Sequence, residues 1–482
     1  MTSYDYDLVI VGGSAIGRYA AAQAAQTARV ALVEPETPNY LSALYHSTFL
    51  HAAQLSHQIR RSPHWGLGCN PKWEESGCLP LQWQETLAWA KGAADSLEDQ
   101  STEGNLALLA ASGVDVIVGQ GEFLRRPRWG FSVKGRLLRS RSFLLAPEAP
   151  CSIPDLAGLE TVPYLTLETL WQQPWQTLPD RLAIVGSDPR GIELAQAFNR
   201  LGTRVALISP HPLLPSEDRE AANLIQAQLE AEGVDIFTQA IVRQIHLSDR
   251  SSEIQVGLEW SDRELHHTVK ADALLLATPP QIDLASLNLD SVGVEWQPHG
   301  IIVNHKLQTR NPDIYACGAA LGGYADLAIA RHEATVALKN ARSPRSFRSL
   351  FLKKSTVRYE QVPFVLNTAP ELARVGLTEI QARRHYGADV RLLKQFTKTL
   401  PKAQIQGETT GFCKLIVRRN GEILGAHWIG THASEGIGTI ALAIQQNIKI
   451  QAIAQLSLPG FTHAEVLQAI AQQFASCKSL SL

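Results

Sequence analysis

The 482-residue sequence has few cysteines, almost no net charge and no long apolar run. No window approaches the roughly 18 consecutive apolar residues of a membrane-spanning helix, so no membrane span is expected. The cysteines are scattered and show no Cys-x-x-Cys pair or metal-ligand spacing, so no metal site is predicted. They are Cys69, Cys78, Cys151, Cys317, Cys413 and Cys477.

Lysine and arginine number 44 against 46 aspartates and glutamates, which gives a net charge of -2. A nucleic-acid partner usually requires a basic face, so none is predicted. The first residues, MTSYDYDLVIVGG, lack the basic segment and cleavage site of a signal peptide, which favours a cytoplasmic protein. At roughly 100–200 residues per domain, the length predicts about three domains.

Residues 6–34 have the pattern of a strand, a glycine turn, a helix and a second buried strand, which is typical of a parallel βαβ unit. Such a turn lets the backbone approach a pyrophosphate at the N-terminus of the helix. An acid at the end of the second strand can accept hydrogen bonds from an adenosine ribose. Ser14 departs from the pattern because it occupies the second glycine position. The residues predicted to bind a dinucleotide are Gly12, Gly13, Ser14, Ala15, Gly17 and Glu34.

The same pattern returns in residues 181–209, where the turn reads GSDPRG (186–191). Here Asp188 occupies the second glycine position, and a carboxylate beside a pyrophosphate is unfavourable unless Arg190 offsets its charge. The second strand ends at Ser209 and not at an acid. The fold of a nicotinamide nucleotide site is therefore predicted, while binding of NADH or NADPH stays open. The candidate residues are Gly186, Asp188, Gly191 and Glu193.

Four stretches together resemble the pyridine nucleotide–disulfide oxidoreductases, in particular the mercuric reductase and dihydrolipoamide dehydrogenase branch. Two are the glycine turns, and the third is TRNPDIYACGAALGGYADLAIARHEATVALKNA (309–341). The fourth combines residues 362–390 and 411–437, which resemble the C-terminal dimerisation domain of the family. The resemblance implies FAD in the first unit, with Gly318 and Ala319 as further contacts, and a homodimer.

The resemblance also implies how the chain is divided. Residues 1–150 and 281–345 correspond to the two parts of an FAD-binding domain, residues 151–280 to an NAD(P)-binding-like domain and residues 346–482 to a dimerisation domain. The predicted fold class is α/β, with two Rossmann-like dinucleotide-binding domains and a C-terminal α+β dimerisation domain.

The sequence departs from the family where thiol chemistry takes place. The redox cysteines of the family correspond to Pro38 and Ala43, and the lysine beside its flavin to Ser47, which leaves Glu193 without its usual partner. The C-terminal histidine and glutamate of the family correspond to Leu458 and His463. Thiol–disulfide exchange needs an attacking thiolate and a proton acceptor, so the resemblance implies that this chemistry is absent.

Two functions are favoured, beside a different flavin reaction that would use the nicotinamide cleft for another ligand. The first is an FAD-dependent oxidoreductase of diaphorase or quinone-reductase type, which passes electrons from NADH or NADPH through flavin to an unidentified non-thiol acceptor. The alternative is a catalytically degenerate flavoprotein homologue that acts as a binding or structural homodimer. The losses at both cofactor sites, including Asp188 and Ala319, favour this alternative.

Several histidines are candidate metal ligands or acid/base groups. His46, His51 and His57 share one predicted helix, but their spacings of five and six residues do not favour a metal site, so they are interpreted as packed or solvated. His463 is interpreted as part of the start of a surface helix.

Overall fold

The computed structural model describes residues 4–35, 42–67, 81–125, 129–248, 252–260, 263–323, 326–342 and 355–479. Numbered in chain order, the helices are α1 (Ala15–Ala25), α2 (Ser42–Arg61), α3 (Trp83–Gln100), α4 (Leu106–Ala111), α5 (Pro189–Arg200), α6 (Arg219–Glu232), α7 (Leu327–Ala341), α8 (Glu379–Tyr386), α9 (Pro401–Gln406), α10 (Ala433–Gln445), α11 (Ile450–Ala454) and α12 (Glu465–Ser479). In this part of the chain, no helix is long and apolar enough to cross a membrane.

The strands are β1 (Tyr6–Val11), β2 (Val30–Glu34), β3 (Val114–Val118), β4 (Gly121–Leu124), β5 (Gly130–Val133), β6 (Arg136–Leu138), β7 (Ser140–Leu145), β8 (Leu165–Thr166), β9 (Arg181–Val185), β10 (Arg204–Ser209), β11 (Asp235–Thr238), β12 (Ala240–Leu247), β13 (Ile254–Trp260), β14 (Arg263–Ala271), β15 (Ala273–Leu276), β16 (Trp296–Gln297), β17 (Gly300–Ile301), β18 (Ile314–Ala316), β19 (Phe364–Leu366), β20 (Glu371–Gly376), β21 (Val390–Phe396), β22 (Phe412–Arg418) and β23 (Ile423–Gly430).

The first sheet is parallel and has the order β18-β7-β1-β2-β3. Its central strands are almost continuously apolar because layers of side chains cover both faces. The alanine-rich helices α1 and α7 pack together on one face. Because β18 pairs with β7, residues from beyond the second βαβ unit complete the sheet that the first unit begins.

The second sheet is also parallel, with the order β11-β10-β9-β15-β8. An antiparallel meander of β12, β13 and β14 lies beside it. Helix α5 buries most of its length, including Phe198, and contacts both β10 and α2. The first and second units are therefore joined through α2 and α5.

The third sheet is antiparallel, with the order β19-β20-β23-β22-β21. Helices α10 and α12 pack with the sheet around Trp428. Phe364, Phe412 and Ile429 join the core of the second unit. The predicted fold class, with two Rossmann-like units and a C-terminal α+β domain, is confirmed, while the domain boundaries stay predictions.

Candidate functional site

The first glycine turn lies where β1 ends and α1 begins at Ala15. Gly12 has a φ of +117°, and a Cβ there would lie 2.4 Å from the carbonyl oxygen of Ala146. A Cβ on Gly17 would lie 1.9 Å from the carbonyl oxygen of Gly12. Ser14 fits this turn because its Oγ accepts the N–H of Gly17 at 3.1 Å and donates to the Ala146 carbonyl at 2.7 Å. The serine is thus the cap of α1.

Glu34 ends β2 and is 1% exposed. Its Oε1 accepts from the guanidinium of Arg18, with Nε at 3.1 Å, and Arg18 also donates to the carbonyl of Gly104 at 2.9 Å. Burial raises the pKa of Glu34, while Arg18 lowers it. Oε2 has no hydrogen-bond partner among the described residues, and a Cβ on Gly13 would lie 2.1 Å from it. A buried carboxylate oxygen with an unmade hydrogen bond beside a glycine turn fits a ribose hydroxyl.

Arg18 was not predicted as a site residue. Its only sequence signal is an arginine directly after the last glycine of the turn, on a helix that is otherwise rich in alanine. The side chain is 2% exposed, which is rare for arginine without an acidic partner. Glu34 supplies that partner from the next strand.

Gly318 follows β18 with a φ of +66° and lies against the first turn, since a Cβ there would be 3.9 Å from the Ile16 side chain. Its N–H donates to Oε2 of Glu333 at 2.7 Å, and Oε1 of Glu333 accepts from the Tyr359 hydroxyl at 2.7 Å. Burial raises the pKa of Glu333. Ala319 is half-buried next to Gly318. The predicted FAD residues therefore meet at the carboxyl edge of one parallel sheet, while their contact with FAD stays a prediction.

The second glycine turn is as tight as the first. Gly186 has a φ of +140°, and a Cβ there would lie 2.0 Å from the Ala277 carbonyl oxygen; a Cβ on Gly191 would lie 2.5 Å from Ala277 Cβ. Asp188 caps α5, since its Oδ1 accepts the N–H of Arg190 at 2.9 Å. The Arg190 guanidinium donates to both carboxylate oxygens, at 3.0 and 2.9 Å. The carboxylate thus occupies the N-terminus of the helix.

Glu193 lacks the lysine partner of the family, whose position corresponds to Ser47, but it has other partners. His46 Nε2 lies 2.6 Å from its Oε2, and Asn367 donates to Oε1 through its backbone N–H at 2.5 Å and its side chain at 3.0 Å. Successive residues on a helix point about 100° apart. Ser47 is accordingly exposed, while His46, which the sequence predicts to be packed or solvated, faces α5 and pairs with Glu193.

A cavity of about 690 Å³ lies between α2, α5 and the third sheet. Glu193 and Asn367 lie in its wall, together with His57, Arg200 and His432. Burial lowers the pKa of His57 to about 4, and Arg200 acts in the same direction. The cavity has the size of a site for a small organic molecule.

In the C-terminal region, the expectation that His463 lies at the start of a surface helix is only partly met. His463 precedes α12 as expected, but it is 6% exposed and does not lie on the surface. Its Nε2 lies 2.7 Å from Oε1 of Gln406, and its ring centroid lies 5.4 Å from that of His432. Burial lowers the pKa of His463. The residue is enclosed because α9 and the turn before α10 pack over it.

Of the two positions that correspond to the redox cysteines of the family, the structure describes only one. Pro38, Cys69 and Cys78 lie outside the described residues, while Ala43 is exposed on α2. The three cysteine side chains that can be described are buried and unpaired, and burial raises the pKa of each; they are Cys151, Cys317 and Cys413. Within the described part of the chain, no group of three metal-ligating side chains occurs.

Two family profiles cover most of the sequence. The one described as pyridine nucleotide-disulphide oxidoreductase matches residues 6–339, and its dimerisation domain matches residues 362–471. The mercuric reductase of Staphylococcus aureus is 30% identical over 479 residues, which cover 98% of this chain and 82% of that protein. The dihydrolipoyl dehydrogenase of Bacillus subtilis (strain 168) is 28% identical over 450 residues, which cover 90% of this chain and 91% of that protein.

Solved structures share the fold. LpdA from Mycobacterium tuberculosis superposes with a TM-score of 0.82 at 24% identity, covering 97% of this chain and 99% of its own. The HOCl-induced flavoprotein disulfide reductase RclA from Escherichia coli gives a TM-score of 0.76 at 24% identity, with 97% and 99% covered. At these identities the similarity concerns the fold.

Proposed function

Because the chain belongs to the pyridine nucleotide–disulfide oxidoreductase family, we propose that it is an FAD-dependent oxidoreductase that works without a redox-active disulfide. NADH or NADPH supplies the electrons, and a non-thiol acceptor receives them, as in diaphorases and quinone reductases. Bound FAD supplies the hydride and electron transfer chemistry, while the protein positions it.

The observation that carries the proposal is the unsatisfied Oε2 of Glu34, held over Gly13 by the buried Arg18. A buried acceptor without a partner is costly, so its retention fits a ligand hydroxyl that completes the hydrogen bond. The residues that would hold FAD are Gly12, Gly13, Ser14, Ala15, Gly17, Glu34, Gly318 and Ala319.

The cysteines support a non-thiol acceptor. The sequence has no cysteine between residues 35 and 68, the region that resembles the redox segment of the family. Burial raises the pKa of Cys413 to about 12, so this thiol stays protonated and unreactive near neutral pH. A thiol substrate would have no partner dithiol among the described residues.

The His46–Glu193–Asn367 cluster supports the proposal because it fixes the arrangement of the elements around the second turn. It connects α2 of the first unit, α5 of the second and the segment that follows β19. Hydrogen bonds to a nine-tenths buried carboxylate are among the stronger ones in proteins. The cluster therefore holds the two nucleotide-binding units in a set relative position.

The proposal is tested on purified protein by measuring its visible spectrum under anaerobic conditions, before and after addition of NADH or NADPH. The expected result is a bound flavin whose absorbance is bleached by at least one nucleotide and restored by a quinone. The Glu34→Gln variant, which keeps the size of the side chain, should retain less flavin. The proposal fails if the flavin is present and neither nucleotide bleaches it.

A second function is favoured by Asp188, whose carboxylate occupies the second turn, and by Ala319, which follows Gly318 in the first unit. In this case the chain is a catalytically degenerate homologue that acts as a binding or structural homodimer. A colourless protein without extractable flavin would favour it, and steady turnover of NADH or NADPH with an added acceptor would exclude it. For both functions we propose a cytoplasmic homodimer formed through residues 346–482, in keeping with the dimerisation-domain match.

A further inference from the structure

We infer that Asp188 sets the affinity of the second unit for nicotinamide nucleotides by occupying the position that their pyrophosphate would take. The inference rests on the proposed function, because it concerns the electron donor of the same site. Asp188, which interrupts the glycine pattern of the turn, is thus an affinity-determining residue.

From Asp188 to Gly191, each backbone N–H of the second turn already has an acceptor. The N–H of Arg190 donates to Oδ1 of Asp188 at 2.9 Å, and the N–H of Gly191 donates to the carbonyl of Asp188 at 2.9 Å. The N–H of Asp188 itself donates to the Ala277 carbonyl at 2.9 Å, and Pro189 has no N–H. A pyrophosphate binds at a helix N-terminus through free N–H groups, and these four residues offer none.

The first turn differs at the same position. Ser14 is neutral, and its Oγ accepts only the N–H of Gly17, while its carbonyl accepts that of Arg18 at 3.0 Å. Among the described residues, none accepts the N–H of Ala15 or of Ile16. The first turn thus keeps free backbone N–H groups for an anion. In the second turn the corresponding groups are either bonded within the turn or, at Pro189, absent.

The side chains of the second turn form a closed ion pair. Asp188 is 4% exposed, and the guanidinium of Arg190 binds both of its oxygens. A pyrophosphate would have to take the N–H of Arg190 from Asp188 and draw the guanidinium away. The displaced carboxylate would then lie beside the phosphate charges, which repel it. Both changes weaken nucleotide binding.

The experiment exchanges the residues of the two turns. The dissociation constants of NADH and NADPH are measured by calorimetry on the FAD-loaded protein, for the native sequence and for Asp188→Ser. We expect Asp188→Ser to bind at least one nucleotide about tenfold more tightly or better, which corresponds to ~1.4 kcal/mol. Ser14→Asp is the matched change in the first turn, and it should weaken the retention of FAD by a similar factor.

A second variant protects the test from a loss of folding. Asp188→Asn keeps an oxygen that caps α5 but removes the charge, so it should also tighten binding while the melting temperature stays close to that of the native protein. Unchanged dissociation constants in both folded variants would overturn the inference.

The outcomes separate the inference from the proposed function. If the native flavin is not bleached by either nucleotide but Asp188→Ser binds one, the inference stands and the proposed electron donor is wrong. If the native protein binds and is reduced, and neither variant binds more tightly, the donor stands and the inference is wrong.

Discussion

His427 lies in the middle of β23, fully buried, and neither of its ring nitrogens has a hydrogen-bond partner among the described residues. In the sheet it is directly opposite Lys414 on β22 and Arg374 on β20. Those cations pair with Asp218 and Glu217, which lie at the start of α6. Burial lowers the pKa of His427 to about 4; Arg374 and Lys414 act in the same direction, and Asp218 opposes them. The folded protein therefore holds a neutral imidazole there.

The substitution His427→Phe should make the protein less sensitive to acid. An unfolded histidine titrates near pH 6.5, so between about pH 6.5 and 4 the unfolded chain binds a proton that the folded chain does not. As the pH drops below 6.5, this proton lowers the free energy of unfolding by about 1.4 kcal/mol per pH unit. At pH 5 the loss is therefore ~2 kcal/mol relative to neutral pH. Phenylalanine has no proton to bind and no ring nitrogen to leave unsatisfied. At pH 7.5 the variant should be at least as stable as the native protein. At pH 5 its free energy of unfolding relative to that of the native protein should be about 2 kcal/mol higher than at pH 7.5.

The assay is urea unfolding of both proteins at the two pH values, followed by tryptophan fluorescence. His385→Phe is the control, since this histidine is exposed on α8 and should leave the pH dependence of stability as in the native protein. If the free-energy difference between the native protein and His427→Phe is the same at both pH values, the reasoning is refuted.

Three further predictions concern the candidate site. Arg18→Met leaves the buried carboxylate of Glu34 unpaired and should lower the free energy of unfolding in urea by about 3–5 kcal/mol. The double variant Arg18→Met/Glu34→Gln should recover part of that loss, and additive effects of the two substitutions would contradict the pairing. His46→Phe should lower the melting temperature, because Glu193 loses a partner, and the loss should nearly vanish in a Glu193→Gln background. Tyr359→Phe removes one hydrogen bond to a buried carboxylate and should cost about 1.5–3 kcal/mol, measured by urea unfolding, and a change within error would show that this bond contributes nothing.

The glycine turns were predictable because their causes are local. A strand that ends at Gly12 or Gly186 must turn at once into a helix, and only a residue without a side chain avoids the carbonyl of Ala146 or Ala277. The approach of Gly318 to the first turn was inferred only from the family resemblance, because 300 residues of chain separate the two segments. The structure places them side by side.

The partners of the charged site residues were not predictable. Glu193 meets His46 and Asn367 across 147 and 174 residues of sequence. No periodicity or spacing connects residues so far apart, and a shift of one position along α2 decides whether a side chain faces α5 or solvent. Burial of His463 depends in the same way on the packing of α9.

The sequence by itself determined the two units of strand, glycine turn, helix and strand, since these elements follow from local patterns of apolar residues and glycines. The C-terminal domain was implied by the family resemblance. It also determined that no cysteine lies between residues 35 and 68. Only the tertiary structure decided that Arg18 holds Glu34 over the first turn with one oxygen unsatisfied, and that Asp188 and Arg190 close the second. Those states depend on which side chains meet when distant segments pack, and local pattern carries no information about that.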